Sequence, residues 1–241
     1  MSEPCAARGS ARIGIFGGTF NPIHQGHLRS AEEVAEALEL DRVLFIPSAR
    51  PPHKDATEVE VIAPARERLA WVEQAVSDNP RFEVDTVEVE RSGPSYLVDT
   101  LRAIGASCAP ELPVFIVGHD AFVEIGSWRE PETLFTLAHF AVTTRPPVER
   151  GSLGDWLPEC VRGEIQVAED GRSARHRRAG TWIRLVEITA LAVSASDIRT
   201  RIREGYSVRY LLPDKVREAV LASGCYAARP PLGQPAREKV K

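Results

Sequence analysis

The chain has 241 residues, 43% of them hydrophobic and 27% charged, which is ample apolar material for one generous domain. Thirty basic against 34 acidic side chains give a net charge of −4, so no whole-molecule field would gather nucleic acid or anionic lipid. The four cysteines, at 5, 108, 160 and 225, form no C-x-x-C pair; a disulfide framework and a thiolate zinc site are both excluded as expectations.

Residues 1–11 are small and polar and read as a flexible tail, without the apolar core of a leader segment. Arg12–Phe16 (RIGIF), Arg42–Ile46 (RVLFI), Pro113–Val117 (PVFIV) and His139–Thr143 (HFAVT) are short, near-continuous apolar runs. Such runs predict strands buried on both faces of a parallel sheet. Between them lie helical stripes: Leu28, Ala31, Val34, Ala35 and Leu38; then Leu69, Val72, Ala75 and Val76; then Leu97, Leu101 and Ile104. Phe82–Glu90 (FEVDTVEVE) alternates and slips phase at Thr86, which predicts a bulged edge strand. Pro146–Thr181 has scattered glycine, a basic cluster at Arg172–Arg178 and no clean period. It predicts a long loop or insertion holding one helix, Ser152–Leu157. Ile183–Ile188 predicts the last strand, and helices follow at Ser196–Arg203 and Asp214–Ala222. Ala228–Lys241, rich in proline and charge, reads as a disordered tail, which leaves 12–227 as a single domain. No uncharged apolar run approaches the ~18 residues a membrane helix needs, so a soluble protein of a reducing cytoplasm is expected.

The alternation predicts a right-handed α/β wind with helices on both faces of a mostly parallel sheet. Ligands of such sheets sit beyond the carboxyl ends of the strands, where strand order reverses. After the first strand comes Gly17-Gly18-Thr19-Phe20-Asn21-Pro22-Ile23-His24-Gln25-Gly26-His27. Two glycines allow a sharp turn and a close approach of N–H groups to a ligand. The helix that follows points its positive end into the same space. His24 and His27, three apart around a glycine, project there too. Donors, a dipole and two imidazoles at one point make a cradle for a transferring phosphoryl group. No Gly-Lys dipeptide exists, so this is not a P-loop, and the dinucleotide fingerprint G-x-G-x-x-G is missing.

GGTFNPIHQGH resembles the nucleotide-binding loop of the HxGH nucleotidylyltransferases, and within them the bacterial nicotinate-nucleotide adenylyltransferases. Further landmarks occur in family order: Pro51-Pro52-His53-Lys54, Gly93-Pro94-Ser95-Tyr96 with Asp99-Thr100-Leu101, Gly118-His119-Asp120, Trp128, Arg145 and Val193–Arg199. The resemblance implies a Rossmann-like, doubly wound fold. It also implies transfer of AMP from ATP to the 5′-phosphate of nicotinate mononucleotide, releasing pyrophosphate and forming nicotinate adenine dinucleotide. By resemblance His24 and His27 serve the α-phosphate, while Lys54 and Arg199 serve the triphosphate. Gly17, Gly18, Thr19, Phe20, Gly118, Asp120, Ser194, Ser196 and Ile198 complete the ATP site. Ser95, Tyr96, Asp120, Trp128 and Arg145 take the pyridine nucleotide, with Trp128 as the stacking surface. A phosphate monoester, with its second pKa near ~6, is already largely ionised at neutral pH and needs no activated side chain. Mg²⁺ is expected to arrive on the substrate phosphates, with no protein carboxylate cage. No nucleic-acid or membrane partner is expected, and a homo-oligomer is left open.

Two positions depart from the family pattern. Asn21 stands where the family usually carries Asp, which removes a charge beside the phosphates while keeping local hydrogen-bond acceptance. Leu97 stands where a hydroxyl usually follows Ser-Tyr, which leaves the choice between the acid and the amide mononucleotide open. The alternatives are an adenylyltransferase preferring nicotinamide mononucleotide or another phosphorylated acceptor, and a catalytically inactive nucleotide-binding regulator.

Overall fold

In the computed structural model, residues 11–51, 61–144, 151–189 and 191–227 are described. The expected tails at 1–11 (Ala11 excepted) and 228–241, together with Lys54 and Arg145, lie outside the described residues.

Among the described residues eight strands form one sheet: β1 (Ile13–Gly18), β2 (Arg42–Pro47), β3 (Phe82–Val84), β4 (Val114–Gly118), β5 (His139–Thr144), β6 (Ile165–Val167), β7 (Ser173–His176) and β8 (Trp182–Glu187). Their order is β3-β2-β1-β4-β5-β8-β7-β6. The first six neighbours in that order run parallel, and β7 and β6 close the far side antiparallel. The doubly wound, mostly parallel sheet expected from the alternation is what the chain forms. Strand order reverses direction between β1 and β4, so the crevice beyond their carboxyl ends is the natural ligand position.

Alternate side chains on each buried strand feed two cores, one per face. Val43, Phe45, Val114 and Ile116 pack with α1 (Gln25–Ala37), α2 (Ala65–Val76), α9 (Ala195–Arg203) and α10 (Asp214–Ser223). Leu44, Ile46, Phe115 and Val117 face α4 (Leu97–Cys108), α5 (His119–Val123) and α6 (Pro131–Leu137) on the other side. Gly14 in β1 permits this packing: a Cβ there would lie 2.8 Å from Leu40 Cδ1 and 3.3 Å from Ile116 Cδ1. Among the described residues no helix is long and apolar enough to cross a membrane.

Two expectations need correction. The strand expected over Phe82–Glu90 stops at Val84, and Val87–Glu90 is a short helix, α3. The cause is an Asx turn: Asp85 N–H makes the last ladder bond to Phe45 O, and Asp85 Oδ1 then accepts from Val87 N at 2.8 Å. Where the expected loop over Pro146–Thr181 falls on described residues, 151–181, it is built of regular elements. It holds α7 (Leu153–Trp156), α8 (Glu159–Arg162) and the β6–β7 hairpin that completes the sheet. The expected helix at Ser152–Leu157 is α7, capped by Ser152 and Asp155. Leu153, Leu157, Val161 and Ile165 are all buried, a four-residue recurrence that anchors the segment.

Candidate active site

The turn after β1 reaches α1 through Phe20, whose φ of 46° is left-handed and costs a residue with a Cβ about 1–2 kcal/mol. Its surroundings repay that cost. The Phe20 ring is buried and meets the His27 ring edge-on, with centroids 5.2 Å apart. His24, 4% exposed, is the N-cap of α1, and its ring stacks on that of His27 with centroids 3.7 Å apart and planes 21° from parallel. His24 N–H donates to His27 Nδ1 at 3.2 Å. With Nδ1 accepting, the neutral His27 ring carries its proton on Nε2. Gly26 makes room for this pair, since a Cβ on it would sit 3.1 Å from two atoms of the His24 ring.

Asn21 is buried at 2% exposure and its side chain is fully engaged. Nδ2 donates to Val61 O and Oδ1 accepts from Ala63 N, both at 3.0 Å; Tyr226 also donates its hydroxyl to Oδ1. These partners lie 40 or more residues away, so the acceptance expected to be local instead ties three segments together. An aspartate could not donate to Val61 O.

Arg199 on α9 is 3% exposed and donates from Nη1 to Asn21 O at 2.7 Å and from Nη2 to Ser196 Oγ at 3.0 Å. It therefore joins the start of α9 to the turn before α1. Ser194 caps α9 by accepting from Asp197 N at 3.0 Å. Ile198 turns its side chain fully into the core, and its N–H is taken by Ser194 O. Val193 O lies 3.6 Å from where a Gly26 Cβ would be, so the approach to α9 runs beside the first turn of α1.

Gly17, Gly18 and Thr19 line a cleft of about 340 Å³, together with Ser95, Tyr96, Leu97, Phe115 and Trp128. Tyr96 and Leu97 open α4, and Trp128 follows a short 3-10 turn. Trp128 stands edge-on to Phe115 at 6.3 Å. Leu97 serves two surroundings at once, lining the cleft and packing against the core behind it. Ser95 Oγ accepts from Ala49 N at 3.0 Å and Arg50 N at 3.3 Å and bonds Glu88, so this hydroxyl braces the loop after β2. Gly118 caps α5, and Asp120, 97% exposed at its side chain, stands in solvent outside that cleft lining. The structure thus brings the glycine turn, the histidine pair, Arg199, Ser95, Tyr96 and Trp128 together at the switch point.

Sequence reasoning missed two buried charges here. Arg68, fully buried on α2, donates to Ala63 O at 2.9 Å, Thr19 O at 2.6 Å and Ala49 O at 3.2 Å. It joins the two turns that border the cleft, and burial pushes its guanidinium below the ordinary arginine range. The signal was in the helical period: Arg68, Trp71, Val72 and Ala75 are the buried stripe, while Leu69 is only half-buried. Glu88 of α3 lines the cleft and accepts from Thr100 Oγ1 at 2.6 Å. Burial raises its carboxyl above the ordinary glutamate value, against the lowering effects of Thr100, Ser95 and Arg91.

A family model described as cytidylyltransferase-like matches residues 15–201. The chain is 42% identical over 225 residues to a Chromohalobacter salexigens protein named "Probable nicotinate-nucleotide adenylyltransferase", covering 92% of this chain and 100% of the relative. It is 43% identical over 216 residues to a Halorhodospira halophila protein of the same name, covering 89% and 94%. In fold it is similar to a Plasmodium falciparum nicotinic acid mononucleotide adenylyltransferase complexed with NaAD. The TM-score there is 0.65 at 14% identity, covering 90% of this chain and 97% of that one. Identity above two-fifths along nearly the whole of both chains, joined to the histidine pair at the switch point, means that this chain belongs to the nicotinate-nucleotide adenylyltransferase family of nucleotidyltransferase enzymes.

Proposed function

We propose that the chain transfers AMP from ATP to the 5′-phosphate of nicotinate mononucleotide. An oxygen of that phosphate attacks the α-phosphorus, the bond to the β-phosphate oxygen breaks, and pyrophosphate leaves as nicotinate adenine dinucleotide forms. The observation that carries this is the stacked His24–His27 pair at the start of α1, issuing from the same glycine turn that walls a ring-lined cleft. The nucleophile is ionised before it binds, so the protein's work is alignment and neutralisation of charge.

In this reading His24 and His27 donate to oxygens of the α-phosphate, the charge of Arg199 faces the triphosphate, and Gly17, Gly18 and Thr19 offer backbone to it. Lys54 would add a second cation. Trp128 and Tyr96 hold the pyridine ring, with Ser95 bracing the loop after β2 beside them. The donors of the cradle are N–H groups and imidazoles, which suit phosphate oxygens and not a hard cation. Mg²⁺ therefore enters as part of the ATP substrate. We place the reaction in the cytoplasm, in keeping with free thiols at Cys108, Cys160 and Cys225.

The test is pyrophosphate release from ATP that depends on a pyridine mononucleotide. His27→Ala should lower turnover by about 10²-fold or more, the usual effect of removing one charge-stabilising donor. His27 is only partly buried, so the melting temperature should hold within about 2 °C. Inert wild-type protein with both acid and amide mononucleotides would overturn the proposal.

A further inference from the structure

The proposed reaction leaves one chemical question, which is how the cleft tells a pyridine carboxylate from the neutral amide of the same shape. The Leu97 side chain offers no polar group, and backbone N–H groups at the start of α4 would donate to the amide oxygen as readily as to a carboxylate. Two acids among the described residues line the cleft, Glu88 and Glu124, and Arg129 is the only base among them. Glu88 is taken up by Thr100 and Ser95. Arg129 is held differently. Its guanidinium carbon lies 4.7 Å from the centroid of the Tyr96 ring, on the rim of the cleft.

The carboxylate nearest to Arg129 in sequence does not consume it. Glu130 stands 3.9 Å from Arg129 Nε and instead accepts two hydrogen bonds from Arg102, at 2.6 and 3.3 Å. That bidentate pair has a structural use. It fastens α4, whose first turn carries Tyr96 and Leu97, to the residue that starts α6. The opposite wall, Trp128 and Arg129, ends at the same point. Glu130 takes a left-handed φ of 52° and Pro131 begins α6, so the chain turns sharply right after Arg129. The two walls thereby meet at one ion pair, with the planar Arg129 cation lying on the Tyr96 ring.

We propose that Arg129 is the specificity-determining residue that reads the carboxylate of the pyridine substrate, in place of the hydroxyl absent at Leu97. A guanidinium fork matches a carboxylate with two parallel hydrogen bonds, and stacking on Tyr96 keeps the fork planar and oriented. An amide offers it one acceptor oxygen, and the amide NH₂ meets only further donors. Discrimination arises from charge and geometry together. This inference rests on the proposed adenylyl transfer.

The test uses the full chain, measuring pyrophosphate release with ATP and either nicotinate or nicotinamide mononucleotide. Wild type should prefer the acid. Arg129→Gln should lose about 10–100-fold in kcat/KM for the acid, the range of a lost charge-assisted pair. That loss should fall on KM, with kcat and the amide reaction each held within about threefold. Arg129→Lys should recover part of the acid preference and guards against a folding defect in the Gln variant. Equal losses on both substrates, no loss on the acid, or a wild type that prefers the amide would each overturn the role of Arg129. Wild-type protein inert with both nucleotides is a separate result, visible without any variant, and removes the adenylyl-transfer proposal beneath it.

Discussion

Gly26 shows how much one missing methyl group decides. Its neighbours His24 and His27 are the pair to which we assign the chemistry, yet their stacking depends on the empty volume where a Cβ would stand 3.1 Å from His24 Cε1 and Nδ1. Gly26→Ala should therefore push the His24 ring off His27 while improving the helix propensity of α1. We expect turnover to fall on the order of 10–100-fold, as small misplacements of reacting groups do. The thermal midpoint should change little. Unchanged turnover would mean that the stack is incidental. The same scale shows what sequence could and could not give. The spacing H-x-G-H and the double glycine announced two imidazoles side by side at the start of α1. The partners of Asn21 at Val61, Ala63 and Tyr226 have no sequence signal, because they meet only when three distant segments pack.

At the scale of elements, β1 and β2 are each continued by a turn, and Arg68 on α2 binds a carbonyl from both. Arg68→Met keeps the stem of the side chain and orphans three carbonyls. At roughly 1–3 kcal/mol per orphaned group, softened by relaxation, we expect a loss of about 2–4 kcal/mol. KM for ATP should rise with it, since Thr19 is one of the released carbonyls. Thermal melting and steady-state kinetics check the two halves; a stable variant with altered KM would mean that Arg68 acts through charge alone. Elements also mark the limit of pattern reading. The four residues of α3 cannot display a 3.6-residue period, so FEVDTVEVE was indistinguishable from a strand until Asp85 turned the chain. The β6–β7 strands, three and four residues long with Gln166, Arg175 and His176 among them, hid their alternation. Their one legible sign was Asp170-Gly171, with Gly171 at a φ of 66°, the dipeptide that favours a tight hairpin. Long buried strands and amphipathic helices, by contrast, showed their periods over six residues or more.

Over the whole molecule, stability against pH joins two distant groups of opposite sign. His139, at the start of β5, is stacked 4.5 Å from Trp182 and accepts a hydrogen bond at Nδ1 from Trp182 N. Burial, with Arg184 and Arg175 adding to it against Glu111, lowers its pKa to about 4 from an ordinary 6.5. A base with a lowered native pKa stabilises the fold above its unfolded value and loses that contribution on acidification. The urea midpoint should therefore fall from pH 6.5 towards 4, and His139→Gln should flatten the fall. Glu88 acts in the opposite sense. Its raised carboxyl binds a proton more readily in the native state, so its penalty is absent below the ordinary value of 4.5 and grows as pH rises past it. Glu88→Gln should remove that rising penalty, making the drop between pH 6.5 and 4.5 steeper than in wild type. A profile identical in all three proteins would contradict both assignments.

The sheet is bounded by β3 and β6, each three residues long. A border that brief offers an incoming chain little main-chain lattice to extend, which is how folded proteins guard against runaway cross-β association. In the folded molecule the long parallel strands β1, β2, β4 and β5 all lie inside that border, each with a neighbour on both sides, and are closed to templated growth.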